Sequence, residues 1–305
     1  MNIPDKNKII KKTVNGVFMT ICYAMLIAMS FVFIYPFIYM LSTSVKSYQD
    51  LIDASVYLIP RSFSWSNYPT AWETINYFES FKNSIVMVLI CTVAHVFVCS
   101  AVGYGFARFA FPLKGFMFFI VILSILVPAQ VLISPQYFVY AQVGWTRSVL
   151  PMILPCFFGY GLRGGLFIFL YRQYYLRFPK SLEEAARIDG CGPFRAYIQV
   201  AFPTAASTTL ISIVLSVVWH WNDYFEPAIY LKNSSQYILP QRLPELYAMI
   251  SSMQEGASDA ASMMFRFHEG VVMAGTVMVV APLLIMYLIL QKRFVEGVER
   301  SGLVE

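Results

Sequence analysis

Residues 181–203 read SLEEAARIDGCGPFRAYIQVAFP, a polar, glycine-punctuated stretch set between two apolar runs that are each long enough to cross a bilayer. Ser181 and Glu184 have the spacing of a capping box, in which the hydroxyl accepts from the amide three residues on and the carboxylate reaches back. Pro179 disfavours helix in the chain before it, so a helix is expected from about Leu182. Gly190 stands where a left-handed residue would stop that helix. Gly192-Pro193 opens a second helix, with proline suited to its first position. Ala185 and Ala186 leave one face nearly smooth, open to close approach by another backbone, and Glu183, Glu184, Arg187 and Asp189 set charges around it. Two readings fit these residues: a face presented to a second protein, or a solvated connector that caps two spans.

The flanks decide the fold class. The 305 residues are 58% hydrophobic and 13% charged, against about 25% charged in soluble domains. Aromatic residues reach 17%, which suits bilayer interfaces. Six apolar runs, at roughly 16–44, 84–106, 116–138, 148–170, 204–230 and 270–290, are long enough to span. The expected architecture is an all-α, polytopic membrane protein of six transmembrane helices. Residues 16–305 form one membrane domain behind a short N-terminal segment, 1–15. An even number of spans puts both termini on one side. With that side cytoplasmic, the inside segments carry twice as many of the 22 Lys and Arg residues as the outside ones, as the positive-inside rule requires. Residues 181–203 are then cytoplasmic, and the long loops 45–82 and 231–269 face outward.

Other features follow the same frame. The first run is too long for a signal peptide and reads as a retained helix. The net charge of +5 sits at the ends of apolar runs, which points to topology rather than nucleic acid. Cys22, Cys91, Cys99, Cys156 and Cys191 show no metal-ligand spacing and read as small hydrophobes without a disulfide framework. Pro36, Pro128, Pro135, Pro155 and Pro282 lie in or near spans and predict kinks. Ala101, Gly103, Gly105 and Ala107 have the small-residue spacing of close helix contacts.

Glu184-Ala185-Ala186, three residues, Gly190, nine residues, then Val200-Ala201-Phe202-Pro203 resembles the EAA loop of bacterial ATP-binding-cassette importer permeases. The usual ending of that loop is Ile-x-Leu-Pro, so Val200 and Phe202 are conservative departures. NYPTAW from Asn67, YGFARFAFPLKG at Tyr104–Gly115, VPAQ, FLYRQYY before the loop, WNDYFEP after it and the C-terminal FVEGVERSG are similar to sugar-uptake permeases of the maltose-transporter type. The resemblance implies a type I importer permease with both termini cytoplasmic, in the plasma membrane. It implies a coupling helix seated in a cleft of an ATPase subunit, with docking carried by Glu184, Ala185, Ala186, Asp189 and Gly190. The implied partners are a homologous second permease, two ATP-binding-cassette subunits, an extracytoplasmic solute-binding protein, membrane lipid and a sugar or oligosaccharide. Hydrolysis belongs to the partner, which holds ATP and Mg; this chain binds no cofactor, and it contains no GxxxxGK[ST] phosphate loop.

The fifth run ends in Trp219-His220-Trp221-Asn222-Asp223-Tyr224. Aromatic faces with amide and carboxylate groups suit a sugar, which makes Trp219, Asn222, Asp223 and Tyr224 candidates for a substrate pathway. An interfacial aromatic belt with interhelical hydrogen bonds is the other reading. Arg163, expected inside the fourth span, would snorkel toward the cytoplasm, pair with a carboxylate such as Asp223, or line the path. His95 and His220 read as packed histidines. In the loop 231–269, Arg242, Glu245, Glu255 and Asp259 either meet a binding protein or are solvated. The rival function is a self-powered secondary transporter or channel, for which Arg163, His95, His220 and Asp223 form no evident ion relay.

Overall fold

The computed structural model describes residues 6–254 and 268–302, and among these every regular element is helical. Three helices are long and apolar enough to cross a membrane: α1 (Lys6–Ser44, apolar over Asn15–Ser44), α2 (Tyr77–Arg108) and the last helix, which is apolar over Glu269–Lys292. Two bent pairs qualify when each is taken as one span. In the first, α3 (Lys114–Leu126) and α4 (Ala129–Gln142) meet at 106°. Then come α5 (Gly164–Arg177) and α6 (Lys180–Ile188). In the second pair, α7 (Pro193–Thr204) and α8 (Ala206–Asn222) meet at 76°. The short α9 (Phe225–Tyr230), α10 (Leu239–Gln254) and α11 (Glu269–Gly302) follow, and two further short helices, Tyr48–Ile52 and Asn67–Thr74, lie between α1 and α2. The protein is thus an all-α polytopic membrane protein with three to five candidate spans.

The runs that depart from single straight helices do so for local reasons. Pro128 takes an extended conformation (φ −62°, ψ 134°) and enters α4 as its cap, so the run 116–138 turns sharply there. The run 148–170 begins as two helical turns, Leu150–Ile153 and Leu154–Phe158, each with proline in its first positions. It then breaks at Gly159 and Gly161, both left-handed, before α5 starts. Pro36, Pro135 and Pro282 lie inside helices that continue through them. Two turns are wider than α: His95–Cys99 within α2 and Tyr197–Ala201 within α7 are π-helical.

Among the described residues the chain clusters into two compact units: residues 6–71 with 249–254 and 268–278, and residues 72–248 with 279–302. In the first unit, the segment after α1 is ordered by buried polar groups. Asn67 donates from Nδ2 to the carbonyls of Ser44 and Lys46, both at 2.9 Å. Lys46 donates to the Tyr57 carbonyl at 2.6 Å, and Asp50 accepts from the Arg61 amide at 3.1 Å. These bonds satisfy loop backbone that would otherwise be costly to bury.

In the second unit, one core cluster packs Tyr104, Phe106, Phe167, Tyr171, Tyr175, Tyr197 and Ala201. Ser100 Oγ bonds the hydroxyls of Tyr175 (2.7 Å) and Tyr197 (3.0 Å), so the cluster is polar-stitched as well as apolar. Gly103 lets α2 and α5 meet backbone to backbone: a Cβ there would stand 2.8 Å from Tyr171 Cβ and 2.9 Å from Arg172 N. A second cluster joins Met87, Cys91, Ile133, Met152, Cys156 and Tyr230.

Candidate functional site

The segment 180–204 takes the helix–turn–helix form expected of it, with one difference. α6 begins at Lys180 with Pro179 at its cap and no side-chain cap bond, so a proline entry replaces the capping box and the start moves back from Leu182. Its end is a Schellman motif. Gly190 is left-handed (φ +83°), the Cys191 amide donates to the Ala186 carbonyl at 2.9 Å, and the Gly190 amide donates to the Arg187 carbonyl at 3.0 Å. Gly192 then caps α7 and Pro193 is its first residue.

The two faces of α6 differ sharply. Glu183 and Ala186 are buried. Glu183 pairs with Arg108 at the end of α2, Nε to Oε1 at 2.6 Å, and Arg108 Nη2 also donates to the Phe178 carbonyl. This ties α6 to α2 and to the α5–α6 junction. Ala186 therefore belongs to the inward face, and the smooth outward face expected of both alanines rests on Ala185 alone. Glu184, Ala185, Asp189 and Gly190 are exposed. Beside them Ile188 is 86% exposed and Phe194 74%. Neither apolar residue stands out from composition, because both fit an amphipathic pattern equally well as buried residues.

The second feature is a cavity of about 360 Å³. One wall is the α3–α4 bend, another the break at 155–166, and α9 closes it with Glu226 and Tyr230. Its polar lining includes Gln130, Gln136, Tyr140, Tyr160 and Arg163. Gln136 Nε2 donates to the Tyr160 hydroxyl at 2.6 Å. The Tyr230 hydroxyl is buried and has no hydrogen-bond partner among the described residues. Arg163 is not within a helix. It caps α5 with a left-handed backbone (φ 61°), and its guanidinium lies 4.7 Å over the Trp219 ring.

Of the residues singled out at the fifth run, Trp219 backs Arg163. Asn222, Asp223 and Tyr224 are not among the cavity's lining residues. Asp223 Oδ1 instead accepts from the amides of Phe225 (3.0 Å) and Glu226 (3.4 Å), capping α9. That cap sets Glu226, unremarked in the sequence, at the cavity wall. In the loop 231–269, Arg242 is buried and pairs with Glu245 at 2.9 Å. Glu255 and Asp259 lie outside the described residues.

The family described as binding-protein-dependent transport system inner membrane component matches residues 100–300. A probable ABC transporter permease protein of Pyrococcus horikoshii is 28% identical, over 86% of this chain and 89% of its own. An arabinooligosaccharides transport system permease protein of Bacillus subtilis is 26% identical, over 90% of this chain and 92% of its own. Among solved structures, a chain of a bacterial ABC transporter involved in the import of the acidic polysaccharide alginate superposes with a TM-score of 0.75. It is 22% identical, and the match covers 96% of this chain and 100% of that one, so the two share the fold.

Proposed function

The chain belongs to the family of binding-protein-dependent transport system inner membrane components, and from that premise we propose that it is the permease subunit of an ATP-driven importer for a sugar or oligosaccharide. The family is non-catalytic, and ATP is hydrolysed by partner subunits. The assembly we propose pairs this chain with a homologous permease, two ATP-binding-cassette subunits and an extracytoplasmic solute-binding protein, in the plasma membrane. Residues 16–305 then act as one permease domain with six crossings: α1, α2, the α3–α4 pair, Leu150–Arg177 taken as one broken crossing, the α7–α8 pair and α11. Both termini and α6 lie in the cytoplasm.

The observation that carries this reading is the two-sided α6. Its inner face is locked to α2 by a buried ion pair, while its outer face offers Glu184, Ala185 and Gly190 beside bare Ile188 and Phe194. An exposed apolar pair on a rigidly anchored helix suits a protein partner. Closure of the ATPase dimer pushes α6, and the Arg108–Glu183 pair and the tyrosine cluster pass that displacement to α2 and α5. The cavity is the proposed substrate passage, with Arg163 on its wall and Trp219 behind Arg163. Tyrosine faces stack on sugar C–H surfaces, and Gln130, Gln136 and Glu226 answer sugar hydroxyls. The arabinooligosaccharide relative supports the substrate class.

The test is to replace Glu184 with Lys, or Phe194 with Ala, in the assembled transporter. Loss of an interface hot spot costs about 2 kcal/mol or more, roughly thirtyfold in ATPase affinity, so uptake should collapse while membrane insertion stays normal. Unchanged uptake together with unchanged ATPase association would remove the coupling role, and uptake without any ATPase would favour a self-powered carrier.

A further inference from the structure

Apart from the coupling face and the cavity, the fold gathers three residues that lie far apart in the sequence. Cys91 comes from α2, Cys156 from the turn Leu154–Phe158 and His220 from α8. Their ligand atoms, two Sγ and one imidazole nitrogen, all lie within 4.8 Å of one another. Both cysteines have no exposed surface and His220 is 3% exposed.

The histidine's protonation follows from its neighbours. Nδ1 lies 2.8 Å from the Ser216 carbonyl, which can only accept, so Nδ1 carries the proton. Nε2 is left with its lone pair, buried and without a hydrogen-bond partner among the described residues. A buried lone pair with no donor is costly. A ring whose other N–H is held by a backbone carbonyl is the arrangement that orients metal-binding histidines. The two thiols point at one shared acceptor, the Met152 carbonyl, at 3.7 Å from Cys91 and 3.3 Å from Cys156.

We propose that Cys91, Cys156 and His220 form a buried binding site for one Zn²⁺, held by two thiolates and His220 Nε2. Binding releases the two thiol protons to solvent. Two thiolates then balance a divalent ion, which gives a neutral cluster in a setting where net charge is expensive. Monovalent copper on the same ligands would leave one uncompensated negative charge. Filled zinc sites hold two thiolate sulfurs about 3.8 Å apart, and a sulfur and an imidazole nitrogen about 3.5 Å apart, by the metal–ligand distances, so the ligands need to draw in by about 1.3 Å at most. His95 lies beside the cluster, its ring centroid 5.2 Å from that of His220, with its two nitrogens on the Ser216 hydroxyl and the Tyr160 carbonyl.

The full chain, purified in detergent with reductant, is incubated with Zn²⁺, stripped of loose metal on a chelating resin and analysed for bound metal. About one zinc per chain is expected. It should fall to background in Cys91→Ser and Cys156→Ser, and persist in Cys99→Ser, a buried cysteine outside the cluster. Loading the unaltered chain with Co²⁺ gives a readout that does not depend on how the variants fold: thiolate ligation produces a charge-transfer band in the near ultraviolet. Background zinc in the monodisperse unaltered chain, or cobalt without that band, overturns the proposal.

Discussion

Arg108 and Glu183 meet with their side chains only 8% and 7% exposed, which makes each costly without the other. Arg108→Ala would strand a carboxylate in a nearly dry site, a loss of about 3–5 kcal/mol for a broken buried pair. Replacing both residues together, Arg108→Met with Glu183→Leu, should restore most of that, because a matched apolar pair needs no solvation. Thermal unfolding in detergent measures both, and a single variant as stable as the double would count against the pair's structural role. Neighbouring glutamates on a helix point about 100° apart, so unlike environments for Glu183 and Glu184 were legible in the sequence. Which of them turns inward was not, because its partner stands 75 residues away and no local pattern links the two.

At the scale of the element, a small-residue stripe and a helix stop fared differently. The Gly190 stop and the Pro193 restart could be read from the sequence because both are local: a left-handed position and a fixed φ are properties of one residue. Four small residues marked a stripe on α2, but only the packed fold selects among them. Gly103 abuts the α5 backbone, whereas a Cβ at Gly105 would meet nothing within 4 Å. Gly103→Val should therefore cost about 1–3 kcal/mol by overpacking, while Gly105→Ala leaves stability unchanged or slightly raised. Melting temperatures of the two purified variants check this, and equal melting would deny the close contact. The breaks at 127–128 and 159–163 escaped hydropathy because an apolar run reads alike whether it is straight or bent. Prolines mark candidate bends without saying which will yield: Pro128 turns the chain, and Pro135 is carried through.

For the molecule as a whole, orientation rests on charge counts and is open to a direct probe. Cys191 sits partly exposed in the turn after α6, while Cys91, Cys99 and Cys156 are buried and Cys22 lies in the apolar stretch of α1. A membrane-impermeant maleimide should label Cys191 in inside-out vesicles and leave it unlabelled in right-side-out ones. The opposite pattern would place α6 outside the cell and remove it from any cytoplasmic motor. Composition sufficed for a polytopic helical protein, and the spacing in residues 181–203 together with the flanking motifs carried the resemblance to the family. The cavity's membership and the Cys91–Cys156–His220 cluster could not be read in advance, since both depend on contacts between segments tens of residues apart.

The two wide turns, His95–Cys99 and Tyr197–Ala201, have a consequence for how such a chain tolerates change in length. A π turn accommodates one surplus residue without unpairing the main chain. Removing a single residue there would let the ladder relax to ordinary pitch, whereas the same deletion elsewhere rotates everything beyond it by about 100°. These two places are where a crossing can gain or shed a residue over generations while the side chains further along keep facing the same neighbours.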